Sequence, residues 1–264
     1  MRVGQRFVLA LLFAGVSLAG WPLRAAPPTP EQQAQWAREA EQRLHDDWAW
    51  RGRFRDENAK LAPVPGHPRI VFLGDSITQG WIDMVPAFFG PGRIDRGISG
   101  QTLPQMLVRF RQDVLSLHPA VVHIMAGTND VAGNTGPERD QDIEDDIRTM
   151  TELALAHGVR VVLASIPPTS DFPWRRGLEP GPRIERLNAW IRAYAARAGA
   201  VYADYWSSLH DGLGFRPGLA YDGVHPTQLG YAAMAPVADA AIARALALPV
   251  PGRAPACVRA KSPC

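Results

Sequence analysis

Four short runs, apolar but for His123 and Arg160, constrain this chain most: Ile70 to Leu73, Val121 to Met125, Val159 to Ala164 and Val201 to Ala203. A strand with one solvated face alternates apolar and polar residues. A near-continuous apolar run is what a strand covered on both faces requires, and such double coverage belongs to parallel sheets with helices on either side. The segments between the runs have helical spacing. Ile143, Ile147, Met150 and Ala154 form one stripe, closed by Gly158; Ile184, Leu187, Ile191 and Tyr194 form another, opened near Pro182 and closed by Gly199. A weaker strand at Arg93 to Asp95 brings the count to five. The expected architecture is α/β, three layers around a mostly parallel five-stranded sheet. The last helix, Thr227 to about Leu246, contains Pro236 and should be kinked or split there. No repeat or linker interrupts residues 67–248, which are read as one domain, followed by an irregular tail over 249–264.

The N-terminus carries a different signal. Arg2 and Arg6 precede an apolar stretch from Phe7 to Gly20, and small residues follow at Ala25 and Ala26. This is the order of a secretory signal peptide, assigned to residues 1–26 and implying export to the periplasm or the outside. The apolar stretch is too short to span a bilayer well, so no stable membrane insertion is expected after cleavage. Loss of Arg2, Arg6 and Arg24 turns the formal charge from +2 to −1. With 28 basic residues set against 26 acidic ones and no basic run, nucleic acid is excluded as a partner. Two cysteines cannot build a disulfide framework; in an oxidising compartment Cys257 and Cys264 could close a short loop in the tail. Residues 27–66 read as a helical extension. Thr29, Pro30 and Gln32 make a capping box, and Trp36, Ala40, Leu44 and Trp48 form a stripe expected to pack on the outside of the core.

Open parallel sheets bind ligands beyond the carboxyl ends of their strands. Gly74-Asp75-Ser76-Ile77-Thr78 follows the first run, and Gly97-Ile98-Ser99-Gly100-Gln101-Thr102 the weak strand. Gly127-Thr128-Asn129-Asp130 comes after the third strand. Each alone is ordinary turn chemistry; together they bring hydrogen-bond donors to one cleft. Near the C-terminus, Tyr221-Asp222-Gly223-Val224-His225-Pro226 supplies an imidazole to take a serine proton and a carboxylate to orient it.

These four blocks, in this order, resemble those of the SGNH hydrolases, the GDSL-type esterases and lipases. The resemblance covers roughly residues 69–246 and implies a flavodoxin-like fold and an exported serine esterase. It implies Ser76 as nucleophile, His225 as general base and acid, and Asp222 as the group that orients the imidazole. The oxyanion hole would comprise the backbone amides of Ser76 and Gly100 with the Asn129 side chain. No metal or organic cofactor is implied. Two departures stand out: Ile77 replaces the leucine of the family signature, and Gln101 stands where an acidic residue is frequent.

The loop Pro167 to Trp174, rich in proline and aromatics, suggests a stiff wall over the cleft, with Phe172, Trp174 and Tyr221 as candidate substrate contacts. It motivates a short acyl group, such as acetyl, on a carbohydrate or lipid. Long-chain lysophospholipase or thioesterase activity, acyl transfer, and a glycan- or lipid-binding module on an inactive fold are the alternatives. There is no Gly-x-Ser-x-Gly elbow, zinc motif or phosphate loop. The acidic cluster Asp140, Asp142, Glu144, Asp145 and Asp146 reads as the solvated start of a helix. His123, inside an apolar run, reads as a core histidine bonded to a neighbour. Oligomeric state is not legible.

Overall fold

The computed structural model describes residues 29–252, so the expected leader and the Cys257–Cys264 pair lie outside the described residues. The chain divides into two compact units, Met1–Gln42 and Arg43–Cys264. The first holds most of helix α1, Pro30–Asp46, and its capping box forms: Thr29 N–H donates to Gln32 Oε1 at 2.9 Å, and Gln32 N–H to Thr29 Oγ1 at 3.2 Å. Of the expected stripe, Trp36, Leu44 and Trp48 are exposed. The second unit begins well before residue 67. Ala49 and Phe54 are buried, and the short helix α2, Arg55–Lys60, belongs to the same unit as the sheet.

The remaining elements alternate as the apolar runs require. They are β1 (Ile70–Gly74), α3 (Ser76–Met84), β2 (Arg93–Gly97), α4 (Leu103–Asp113), β3 (Val121–Met125), α5 (Thr128–Ala132), α6 (Asp140–Ala156), β4 (Arg160–Ala164), α7 (Gly181–Ala198), β5 (Val201–Ala203), α8 (Tyr205–Leu209) and α9 (Gln228–Ala247). A two-residue hairpin pair, His210–Asp211 with Gly214–Phe215, lies between α8 and α9. The five strands run in the order β2-β1-β3-β4-β5, and every pairing is parallel.

Within each strand, alternate residues serve opposite cores. Val71, Leu73, Val122, Ile124, Val161 and Leu163 pack with α4, α6 and α7. Ile70, Phe72, Val121, Met125, Val162 and Ala164 pack with α3 and α9. Full burial of one such side chain contributes roughly 1.5–3 kcal/mol, which is why a polar residue in these runs needs a partner. His123 has one: its Nε2 lies 2.8 Å from Tyr205 Oη, and burial pushes its pKa down to about 3, so the ring is neutral.

Helix α9 is not split at Pro236. Its buried face, from Tyr231 through Met234 and Ala238 to Ala245, packs on the sheet on both sides of the proline. Ala232, whose carbonyl loses its intrahelical partner to the ring, is exposed to solvent together with Pro236. Helix and core are therefore both kept.

Candidate active site

The chain leaves β1 to form β2 on one side and then crosses back to form β3 on the other, so a crevice opens where β1 and β3 lie side by side. The first and third sequence blocks end these two strands. Gly74 closes β1 where a Cβ would stand 2.8 Å from the Met125 carbonyl, so only glycine lets the two strand ends meet this closely. Asp75 then caps α3: Ile77 N–H donates to its Oδ1 at 2.9 Å, which leaves Ser76 at the first position of the helix with its own N–H pointing out of the ladder. Gly100 has φ +79° and open space where a side chain would be. Among the described residues, the backbone N–H groups of Ser76 and Gly100 donate to no protein group.

The loop preceding α9 brings its imidazole to this point from 149 residues away. His225 Nε2 lies 2.9 Å from Ser76 Oγ, and His225 Nδ1 lies 2.7 Å from Asp222 Oδ2. The second Asp222 oxygen accepts from the backbone of His225 at 2.8 Å and of Val224 at 3.0 Å. Burial pushes the Asp222 carboxyl up, but these hydrogen bonds outweigh it and hold the group below its ordinary value, so it is ionised at neutral pH.

Asn129 is buried beside the same crevice. Its Nδ2 donates to the Gln101 carbonyl at 3.0 Å and to Asp75 Oδ2 at 3.3 Å, while its Oδ1 accepts from Asn134 Nδ2 at 2.8 Å. Both amide hydrogens thus face protein acceptors, the Asp75 contact being the longer. Burial drives the Asp75 carboxyl up to about 6, opposed by the Ile77 N–H and by the charge of His225.

Of the three aromatic residues assigned to the substrate wall, two reach the mouth. Tyr221 is 63% exposed and stacks on the His225 ring at 5.6 Å; Trp174 is 45% exposed and stands 6.1 Å from it on a tilted plane. Phe172 does not. It is fully buried in the apolar core, 5.2 Å behind Trp174, and can only support that ring. A separate hollow of about 810 Å³, lined by residues such as His118, His157 and Val250, lies at the amino ends of β3 and β4 and includes none of these groups.

The model of the GDSL-like lipase/acylhydrolase family matches residues 72–233, which takes in all four blocks. The chain belongs to this family. It is a carboxylic ester hydrolase on the three-layer fold. A GDSL-like lipase of Bacteroides thetaiotaomicron is 44% identical, with 75% of this chain and 100% of that one covered and a TM-score of 0.72. A Bacteroides fragilis protein named as an acylhydrolase is 41% identical over 76% of this chain and 99% of its own, with a TM-score of 0.73. An acetylxylan esterase of Geobacillus stearothermophilus, at 19% identity, 70% and 97% coverage and a TM-score of 0.52, shares the fold. No curated protein matches the chain.

In this family member the sequence reading missed what lies beneath the motifs. Arg109 is completely buried. Its Nη2 donates to the carbonyls of Gly74 at 3.1 Å and Arg96 at 2.8 Å, its Nε to Gln101 Oε1 at 2.6 Å, and its Nη1 to Asp113 Oδ2 at 3.2 Å. One guanidinium thereby ties the end of β1 to the end of β2 and to the residue after Gly100. Burial lowers its pKa to about 10, with Asp113 opposing, so it stays charged at neutral pH. Gln101, the departure from the usual acidic residue, also donates from Nε2 to the Ala49 carbonyl at 2.8 Å, which a carboxylate could not do. Arg96 is likewise buried, held by Asn58 Oδ1 at 2.8 and 3.0 Å and by Glu57 at 2.8 Å. The segment around α2 therefore braces the Gly100 loop from behind. The acidic start of α6 is occupied by ion pairs, Asp142 with Arg139 at 2.6 Å and Asp145 with Arg148 at 2.7 Å. Among the described residues no group of three or more His, Cys, Asp or Glu could hold a metal ion.

Proposed function

We propose that Ser76 is the nucleophile of this ester hydrolase, that His225 is its general base and then its acid, and that Asp222 fixes the imidazole. The observation that carries this is the unbroken contact chain Ser76 Oγ, His225 Nε2, His225 Nδ1, Asp222 Oδ2 at 2.9 and 2.7 Å. A serine hydroxyl is a weak nucleophile until a base takes its proton. Asp222 accepts from Nδ1–H and so leaves Nε2 with the lone pair that faces Ser76. As Ser76 Oγ bonds to the ester carbon, its proton passes to Nε2 and the carbonyl electrons move to oxygen. The free N–H groups of Ser76 and Gly100 receive that oxyanion, and the Asn129 amide becomes the third donor by giving up its longer contact, the 3.3 Å one to Asp75 Oδ2; each such donor is worth about 10²–10³-fold in rate. Collapse expels the alcohol, which takes the proton from His225. Water then enters by the same route, and the acid leaves.

The substrate in this reading is a short acyl ester, acetyl being the simplest, on a carbohydrate or lipid, met after export to the periplasm or beyond. Two exposed rings flanking the base support a carbohydrate, since the C–H face of a sugar packs on an aromatic face as an apolar surface does. The test is a panel of nitrophenyl esters of increasing chain length beside acetylated sugars and lysolipids. Turnover should peak at the shortest chains and on acetylated sugars. A rate that climbs beyond eight carbons would favour the lysophospholipase or thioesterase alternative, and new esters formed when alcohols are added would favour acyl transfer.

A further inference from the structure

Asn134 lies in the loop after α5, outside every motif, yet it touches three parts of the site. Its Oδ1 accepts from Trp174 Nε1 at 3.1 Å, its Nδ2 donates to Asn129 Oδ1 at 2.8 Å and, at 3.4 Å, to the Gly100 carbonyl, and its backbone N–H donates to the Asn129 carbonyl at 3.0 Å. An indole nitrogen can only donate, whereas a carboxamide can turn over and exchange donor for acceptor. The Trp174 N–H therefore decides which end of Asn134 faces it and which end faces Asn129. A donor aimed at Asn129 in turn keeps the Asn129 oxygen on that side and its nitrogen on the side of Asp75 and Gln101. The two acceptors there, Asp75 Oδ2 and the Gln101 carbonyl, favour the same orientation. The row of groups from the indole to the crevice is thus consistent in polarity at every step.

We infer that Asn134 is a positioning residue that couples the aromatic wall to the oxyanion side of the site, holding the Asn129 amide with its nitrogen toward Asp75 and Gln101, from where the hydrogen on the longer Asp75 contact can turn to the developing charge. The inference rests on the reading of Asn129 as an oxyanion donor. It gives Trp174 a second role: besides presenting its face at the mouth, its edge orients the amide that receives the oxyanion. A substrate that displaces Trp174 on entry would alter kcat as well as binding.

The experiment is a set of cycles on kcat and KM with nitrophenyl acetate, using Asn129→Ala, Asn134→Ala, Trp174→Phe and their pairwise combinations. Thermal melting confirms that each variant folds; Asn134 is exposed and Trp174→Phe keeps a ring in place. Asn134→Ala should lower kcat about fivefold, the net worth of one hydrogen bond, with KM little changed. Trp174→Phe should lower kcat similarly, and the two together should cost no more than Asn134→Ala alone, because each breaks the same link. In the Asn129→Ala background, Asn134→Ala should have no further effect on kcat. Additive losses, or an effect of Asn134→Ala on KM alone, would overturn the coupling while leaving Asn129 in its role. An Asn129→Ala variant with wild-type kcat would overturn both.

Discussion

Replacing Arg109 by lysine keeps a positive charge under the two donor loops but removes the fork that holds them. The guanidinium satisfies four acceptors at once: the Gly74 and Arg96 carbonyls, Gln101 Oε1 and Asp113 Oδ2. An ammonium on a different stem is a single point with three donors and cannot span acceptors that lie on separate strands and a helix. Two of the four bonds are expected to be lost, the Asp113 contact surviving as the ion pair. Hydrogen bonds to a charged group are worth about 1.5–3 kcal/mol each, so the loss is roughly 4 kcal/mol. For a domain of this size each kcal/mol moves the melting temperature by about 2–4 °C, which gives a drop of about 8–16 °C. The freed Gly74 and Gln101 segments carry the amides of Ser76 and Gly100, so kcat should fall as well, by about tenfold for misplacement of preorganised donors. Thermal unfolding by circular dichroism and saturating turnover of nitrophenyl acetate read the two effects separately. A variant that melts within about 2 °C of wild type and keeps its kcat would refute the reasoning, since water or the ammonium would then have replaced the fork at no loss.

Ser76→Ala should abolish turnover while leaving the melting temperature unchanged, and retention of most activity would remove Ser76 as nucleophile. Tyr221→Ala should raise KM for acetylated sugars and leave nitrophenyl acetate nearly unaffected; equal changes on both would mean the ring serves His225 rather than the sugar. Burial lifts the Asp95 carboxyl to about 7, against the Gly97 N–H that stabilises its charged form, and its second oxygen has no hydrogen-bond partner among the described residues. Because the folded state holds this proton more tightly than the unfolded chain, the stability it contributes is complete below about pH 4 and is lost as pH rises through 7. Asp95→Asn keeps an acceptor for Gly97 and should therefore raise the melting temperature at pH 8 by several degrees more than at pH 5, the penalty removed being at most ~4 kcal/mol; an equal change at both would remove Asp95 as its source.

The strands were readable in the sequence where burial on both faces left no polar residue to confuse the pattern, as at Ile70 to Leu73. β2 was faint because only Ile94 is apolar in its first four residues and its one fully buried charge, Arg96, finds its partners at Glu57 and Asn58, remote in the chain. Sequence patterning treats such an arginine as a surface residue; only the fold supplies the reason it can be buried. The four motifs fixed attention on Ser76, Gly100, Asn129, Asp222 and His225 because their chemistry requires particular residue types. Arg109 and Asn134 carried no such signal, and Gln101 stood out only as a departure from the family pattern, since their roles depend on which carbonyls and amides the fold brings to them. Phe172 and Trp174 looked alike in the loop, and a two-residue offset put one ring in the core and the other at the mouth.

The contact between Ser76 and His225 joins segments 149 residues apart, whereas the groups around the nucleophile come from strands that pair directly. Closing so long a span is entropically costly until the intervening sheet exists. The His225 loop is therefore expected to reach Ser76 only as the last helix docks on the sheet. Appearance of esterase activity during refolding should report that docking step.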